Sequence, residues 1–356
     1  MELINGLCCT TIEHGVSDLF LLAGELPQLR LHGEIIPYGD TIVTAQELES
    51  FWTHCGGGKD VLDFDGSFIS SNGNRFRVNL FRSLHKRGAV LRPIKTIIPG
   101  IETLGVPVDL LISWASRPSG LVLVTGATGS GKSTTIASCL NWVNQSYSRH
   151  IVTIEDPIEF LFKPDKCLIT QRDVGVDTTS FAEGLRRSLR QSPDVIMLGE
   201  IRDPLTAMTA LQASETGHLV FATLHSSNVL DSMERLTRLF TGSEREGVLQ
   251  VISQQLVGIL CQKLVPANEG GRLLVLEHFE NQAATRKWIM EGKFREMADF
   301  IAKGDNPTNV TFIQSLVGLV QTQRISEEVA LDASTNPHEV KRQLRGINAN
   351  SSAGMR

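Results

Sequence analysis

Beyond about residue 108 the chain alternates short apolar runs with helix-length segments. The runs are "GLVLVTG", "HIVTIED", "DVIMLGE" and "HLVFATLH". Parallel strands cannot be joined by a tight turn, so this alternation predicts a mainly parallel sheet with crossover helices. The first hundred residues read as α+β. A helix is expected over residues 3–14, and "SDLFLLAG" and "LRLHGEIIP" are expected as the two strands of a hairpin. "TAQELESFWTHC" starts like a helix, with Thr44 as N-cap and Glu47 three residues on. "GNRFRVNLFRSL" and "GAVLRPIKTI" alternate as strands do.

Between these patterns stands "IIPGIETLGVP", rich in Pro and Gly. It predicts a division into an N-terminal domain (1–98), a linker (99–107) and a larger α/β domain (108–345). After residue 240 the pattern is mostly helical, with "GRLLVLEHF" as one more strand. The last residues, 346–356, are small and polar and are expected to be disordered.

The first apolar run leads into chemistry. "GATGSGKS" is a G-x-x-x-x-G-K-S loop from Gly126 to Ser133, with a strand before it and a helix after it. Glycines let the backbone wrap around phosphate oxygens, and loop N–H groups with the helix N-terminus face the anion. The candidate phosphate-binding residues are Gly126, Thr128, Gly129, Ser130, Gly131, Lys132, Ser133 and Thr134. Lys132 supplies positive charge for the β- and γ-phosphates, and the Ser133 hydroxyl is a Mg²⁺ ligand. ATP with Mg²⁺ is the expected cofactor pair.

Two later runs end in carboxylates. "HIVTIED" closes on Glu155 and Asp156, and "DVIMLGE" on Glu200. Ligands bind beyond the carboxyl ends of strands in open α/β sheets, so these groups fall on the edge that carries the loop. Glu200 is the general-base candidate, and Gly199 is expected to let the backbone approach the phosphates. In "TGHLVFATLHSSN" the two histidines stand at opposite ends of an apolar run. His225 shares the carboxyl edge with Glu200 and the glycine loop. His218 is at the other end, where a structural or subunit-interface role is expected.

Composition narrows the class. Of 356 residues 41% are hydrophobic, and the net charge is −5, which argues against a chain that coats nucleic acid. The six cysteines form no C-x-x-C pair, so a zinc ribbon is not expected, and packing is their expected role. No signal-peptide pattern or membrane-length apolar run is read from the sequence, so a cytoplasmic protein is expected.

Together, "GATGSGKST", "TIEDPIEF", "DVIMLGEIRD" and "TGHLVFATLHS" resemble the Walker A, Asp-box, Walker B and His-box series of the type II/IV secretion ATPases. Within that superfamily the chain resembles the pilus retraction ATPases, the PilT/PilU twitching-motility group. The N-terminal region is short and the four-cysteine zinc insertion of assembly and secretion ATPases is absent. "QAATRKWIMEGK" is similar to the A-I-R-N-L-I segment of the retraction group, keeping Ala284, Arg286 and Ile289 but with Thr285, Lys287 and Trp288 at the intervening positions.

The resemblance implies a RecA-like P-loop domain preceded by a PAS-like α+β domain. It implies catalytic roles for Glu155 and Glu200 and a γ-phosphate sensor in His225. It further implies a homo-hexameric ring, an inner-membrane pilus platform protein as partner, no nucleic acid, and membrane association through that partner only. Arginines of the N-terminal domain would reach the nucleotide, and by family pattern these are Arg77, Arg82 and Arg92. The first alternative is a pilus assembly or type II/IV secretion ATPase; a RecA-like nucleic-acid translocase and a non-hydrolysing ATP-binding regulator stand behind it.

Overall fold

The computed structural model describes residues 1–31, 33–58, 60–303 and 308–346. It divides into two compact units. The first is Met1–Ile97 with Pro157–Leu161, and the second is Ile98–Asp156 with the chain from Phe162 onward.

The first unit holds α1 (Glu2–Glu13), β1 (Asp18–Leu22), β2 (Gln28–Leu31), β3 (Glu34–Pro37), α2 (Ala45–His54), β4 (Asp63–Ile69), β5 (Arg75–Ser83) and β6 (Lys86–Pro93). Among the described residues six strands form one antiparallel sheet, ordered β3-β2-β1-β6-β5-β4. "LRLHGEIIP" turns out to be a hairpin in itself, β2 against β3, rather than one strand. β4 was not anticipated; its "DFDGSFI" carries two aspartates and a glycine and reads as a turn. The α2 start is as expected, with a capping box between Thr44 and Glu47. Alternate β5 residues Phe76, Val78 and Leu80 are fully buried and pack beneath α2 with Leu48, Phe51 and Trp52.

In the second unit α3 (Val108–Ala115) precedes β7 (Gly120–Gly126), α4 (Lys132–Ser146), β8 (His150–Glu155), β9 (Leu168–Asp173) and α5 (Phe181–Ser188). Then come β10 (Val195–Leu198), α6 (Pro204–Glu215), β11 (Leu219–Leu224), α7 (Val229–Arg238) and α8 (Ser243–Gln255). The β12 (Leu256–Pro266) and β13 (Arg272–Glu280) strands follow, then α9 (Ala283–Met290), α10 (Phe294–Lys303), α11 (Phe312–Gln321), α12 (Glu327–Ala333) and α13 (Pro337–Leu344). The described strands order as β13-β12-β7-β11-β10-β8-β9, parallel throughout except for the antiparallel β12–β13 pair. Along β7, Leu121 and Leu123 enter one core and Val122 and Val124 the other. Helices cover both faces, which is why these strands read as unbroken apolar runs.

Two boundaries differ from the sequence reading. Residues 99–107 belong to the second unit, where Ile101 and Val106 are buried in its core. Pro157–Leu161 belongs to the first unit, because Lys95 N donates to Glu159 O at 3.2 Å and Leu161 N to Lys95 O at 2.8 Å. Residues 347–356 of the expected disordered tail lie outside the described residues. No described helix is long and apolar enough to cross a membrane.

Candidate active site

The strand order sets the site. β7 runs into the glycine loop, and β11, β10 and β8 follow on one side of it. All four are parallel, so the loop, His225, Glu200 and Glu155 come to the same sheet edge in that sequence.

The glycines give the loop a tightly turned, cradle-like backbone. Gly126, Gly129 and Gly131 all have positive φ, and Gly131 caps α4 in the left-handed region. A Cβ on Gly126 would stand 2.4 Å from Gln262 O and 2.6 Å from Ser130 Oγ, so only glycine fits there. Lys132 Nζ donates to the Gly126 and Ala127 carbonyls at 2.9 Å each and so lies across the loop. Ser130 Oγ is buried without a hydrogen-bond partner, a free polar group in the wall of the cradle. Gln262 of β12 braces the first turn of α4, its Nε2 donating to Thr135 Oγ1 at 2.8 Å.

For a divalent ion, the described residues offer no group of three His, Cys, Asp or Glu side chains. The Ser133 hydroxyl lies in the first turn of α4 beside the cradle. One hydroxyl completed by phosphate oxygens is a donor set that suits Mg²⁺, a hard cation that retains several waters.

Glu200 has 11% side-chain exposure and uses both oxygens. His225 Nε2 lies 3.3 Å from Oε1, and Arg202 Nε donates to Oε2 at 2.7 Å. The structure thus brings Glu200 and His225 into contact. Arg202, two residues on in "GEIRD", was missed by the sequence reading, although its proximity to Glu200 was a visible signal. Glu155 is buried, and Thr153 Oγ1 donates to its Oε1 at 2.6 Å. Gln171 of β9 approaches the same oxygen at 3.4 Å. Gly199 has a packing role at this edge. Its N–H pairs with Ile154 O at 2.8 Å, and a Cβ there would stand 3.2 Å from Ile154 O and 3.4 Å from Glu155 Cα. Its small size lets the end of β10 close on the end of β8.

His225 leaves β11 into α7 through several bonds. Arg235 Nη1 donates to His225 O at 2.7 Å, Ser226 and Ser232 hydroxyls bond at 2.7 Å, and Ser227 N donates to Asp231 Oδ2 at 2.7 Å. His218 is elsewhere: its Nδ1 lies 2.9 Å from Ala213 O and ties the strand entry to the end of α6. That is a structural role at the opposite end of β11.

The three arginines lie in the first unit and do not form one group. Arg77 and Arg92 are direct cross-strand partners and line one cavity of about 780 Å³. Arg92 is held by the buried Asp18, with Nε 2.9 Å and Nη2 2.6 Å from Oδ1. Arg82 has the other parity on β5, and its guanidinium lies 6.0 Å from the Trp52 ring on the α2 side. Among the cysteines, burial pushes the Cys139 thiol up to about 12, which leaves it an inert packing group at neutral pH.

A glycine loop at the start of a helix, with two glutamates and a histidine on adjoining parallel strands, defines a P-loop nucleotide-binding protein equipped for hydrolysis. The model of the type II/IV secretion system protein family matches residues 68–330. The type IV pilus retraction ATPase PilT of Pseudomonas aeruginosa is 37% identical over 94% of this chain and 98% of its own length. The type IV pilus ATPase PilU of the same organism is 35% identical over 94% of this chain and 89% of its own. A crystal structure of the pilus retraction motor PilT with bound ADP superposes with a TM-score of 0.87 at 39% identity, covering 95% of this chain and 99% of that one. The chain belongs to the PilT/PilU twitching-motility family of type II/IV secretion ATPases.

Proposed function

We propose that the chain hydrolyses ATP to drive retraction of a type IV pilus, with Glu200 as the general base. Lys132 and the N–H groups of the loop hold the β- and γ-phosphates. Ser133, with phosphate oxygens, would hold Mg²⁺, which neutralises phosphate charge when bound. Glu200 accepts a proton from a water as the water oxygen attacks the γ-phosphorus. The bond from that phosphorus to the β,γ-bridging oxygen breaks, and ADP leaves with the electron pair. His225 reports the γ-phosphate, and Glu155 supports the same edge. Arg77, Arg82 and Arg92 supply transition-state charge, from the same subunit or a neighbour. Because Arg82 lies on a different face from the other pair, the two groups would act on different subunits' nucleotides or at different stages.

The observation that carries this reading is the Glu200–His225 contact of 3.3 Å at the phosphate-loop edge. It couples the base to a group able to sense whether the γ-phosphate is present. The working assembly is a homo-hexameric ring at the inner face of the cytoplasmic membrane, turning an inner-membrane platform protein. Glu200→Gln is expected to cut turnover by about 10²–10⁴-fold, the usual worth of a general base, with nucleotide still bound. Undiminished phosphate release would exclude Glu200 as the base. Deleting the gene should leave hyperpiliated cells that do not twitch, whereas bald cells would assign the chain to pilus assembly.

A further inference from the structure

The N-terminus of α7 begins at a buried residue, Val229, only four positions after His225. The first N–H groups of a helix have no partner within it. Asn228 caps one of them, its Oδ1 accepting from Asp231 N at 2.8 Å. The Val229 N–H goes to a side chain from another element: it donates to Glu277 Oε1 of β13 at 2.6 Å. The second oxygen of the same carboxylate accepts from Phe312 N, at the start of α11, at 3.4 Å. Glu277 therefore sits between two helix N-termini, where positive helix-end dipoles favour an anion. Lys263 also lines this cavity of about 240 Å³, with its ammonium 4.5 Å from the Phe312 ring.

What this carboxylate holds is the His225 loop. His225, Ser226 and Ser227 are each bonded to α7 through Arg235, Ser232 and Asp231. Ser232 also reaches the phosphate-loop strand, its hydroxyl 3.3 Å from Thr125 Oγ1. The loop and the start of α7 are thus bonded together, and Glu277 ties them to β13 and to the start of α11.

We propose that Glu277 is a positioning residue for His225, setting the imidazole against Glu200 and linking the C-terminal helices to hydrolysis. This rests on the reading of His225 as the γ-phosphate sensor. Glu277 is bonded to the start of α7 and of α11, and it acts through α7. A displacement of about 1 Å in a catalytic constellation costs roughly 10²-fold in rate. Losing the pin should therefore lower kcat while leaving the phosphate cradle, and hence nucleotide affinity, intact.

The test uses the full chain and four variants: Glu277→Ala, Glu277→Gln, His225→Ala and the Glu277→Ala/His225→Ala double. Steady-state ATP hydrolysis gives kcat and KM, and fluorescent ADP gives affinity. Glu277→Ala is expected to lose about 10- to 100-fold in kcat with KM and ADP affinity nearly unchanged. Glu277→Gln keeps an acceptor oxygen for Val229 and should recover most of the rate. The double variant should be no slower than His225→Ala, because both changes remove the same function. Wild-type kcat in Glu277→Ala, a matching loss of ADP affinity, no recovery in Glu277→Gln, or additive losses in the double would each overturn the proposal. Wild-type kcat in His225→Ala would overturn the sensor reading itself, and this inference with it.

Discussion

Adding one methyl group at Gly199 tests how closely the ends of β10 and β8 must approach for the proposed hydrolysis. An alanine Cβ would stand 3.1 Å from Phe181 Cε1, 3.2 Å from Ile154 O and 3.4 Å from Glu155 Cα. The phenyl ring can turn aside, but the two main-chain atoms belong to β8 and cannot. The end of β10 must then move away from β8 by a few tenths of an ångström, carrying Glu200 with it. At roughly 10²-fold per ångström of misplacement, a shift of ~0.3–0.5 Å lowers kcat about four- to tenfold. Overpacking of a tight site costs about 1–3 kcal/mol, and the lower chain entropy of alanine returns ~0.4–1. A net cost of ~1–2 kcal/mol corresponds to a fall of several degrees in Tm at most. Phosphate release at saturating ATP and a thermal melt measure both effects. KM should hold, since the glycine loop is untouched. A Gly199→Ala protein with wild-type kcat and Tm would refute the close approach of the two strand ends as a requirement.

Two further outcomes follow from packing and burial. Gly258 lets β12 pass the Trp114 ring, and a Cβ there would stand 2.3 Å from Trp114 Cζ2 and 2.8 Å from Phe279 O. Gly258→Ala should destabilise the protein by about 3 kcal/mol, read from chemical denaturation, and a neutral effect would show that the hairpin shifts freely. Burial holds His278 below the ordinary histidine value of 6.5, against the opposing pull of its bond to Thr308 O and of Glu280. The native state therefore binds this proton less readily than the unfolded chain, and the stability it contributes is present above about 6.5 and lost as pH falls. Melting temperature should drop on acidification through that range and drop less in His278→Gln, whereas parallel pH profiles would exclude His278 as a source.

The loop Gly126–Ser133 was legible because its chemistry is local. Glycine spacing, the preceding apolar run and the following helix are all visible within one stretch of chain. Glu155, Glu200 and His225 were legible by one step of topology, since parallel strands must share a carboxyl edge. The separation of Arg82 from Arg77 was also available, because positions five apart on a strand face opposite ways. Reading the arginines as a set obscured that parity.

β12 was not legible. "LVGILCQKLVP" follows α8 without a turn signal and reads as more helix. It becomes a strand because β7, more than a hundred residues earlier, offers it a parallel edge from Leu121 to Gly126. Cooperative pairing with a distant strand overrides local preference. The same holds for Pro157–Leu161, which looks like the tail of a strand in one unit and is bonded into the other.

The sequence by itself determined where the glycine loop stands, which strand ends carry acid, and which histidine lies on their side of the sheet. Those follow from short-range spacing and from the fixed two-residue period of a strand. Only the tertiary structure decided that Glu200 touches His225 and Arg202, that Asp18 holds Arg92, and that Glu277 pins the start of α7. These partners come from elements far apart in the chain or from rotamers set by packing. A buried N–H or carboxylate takes whichever complementary group the fold delivers to it, and no local pattern encodes that choice.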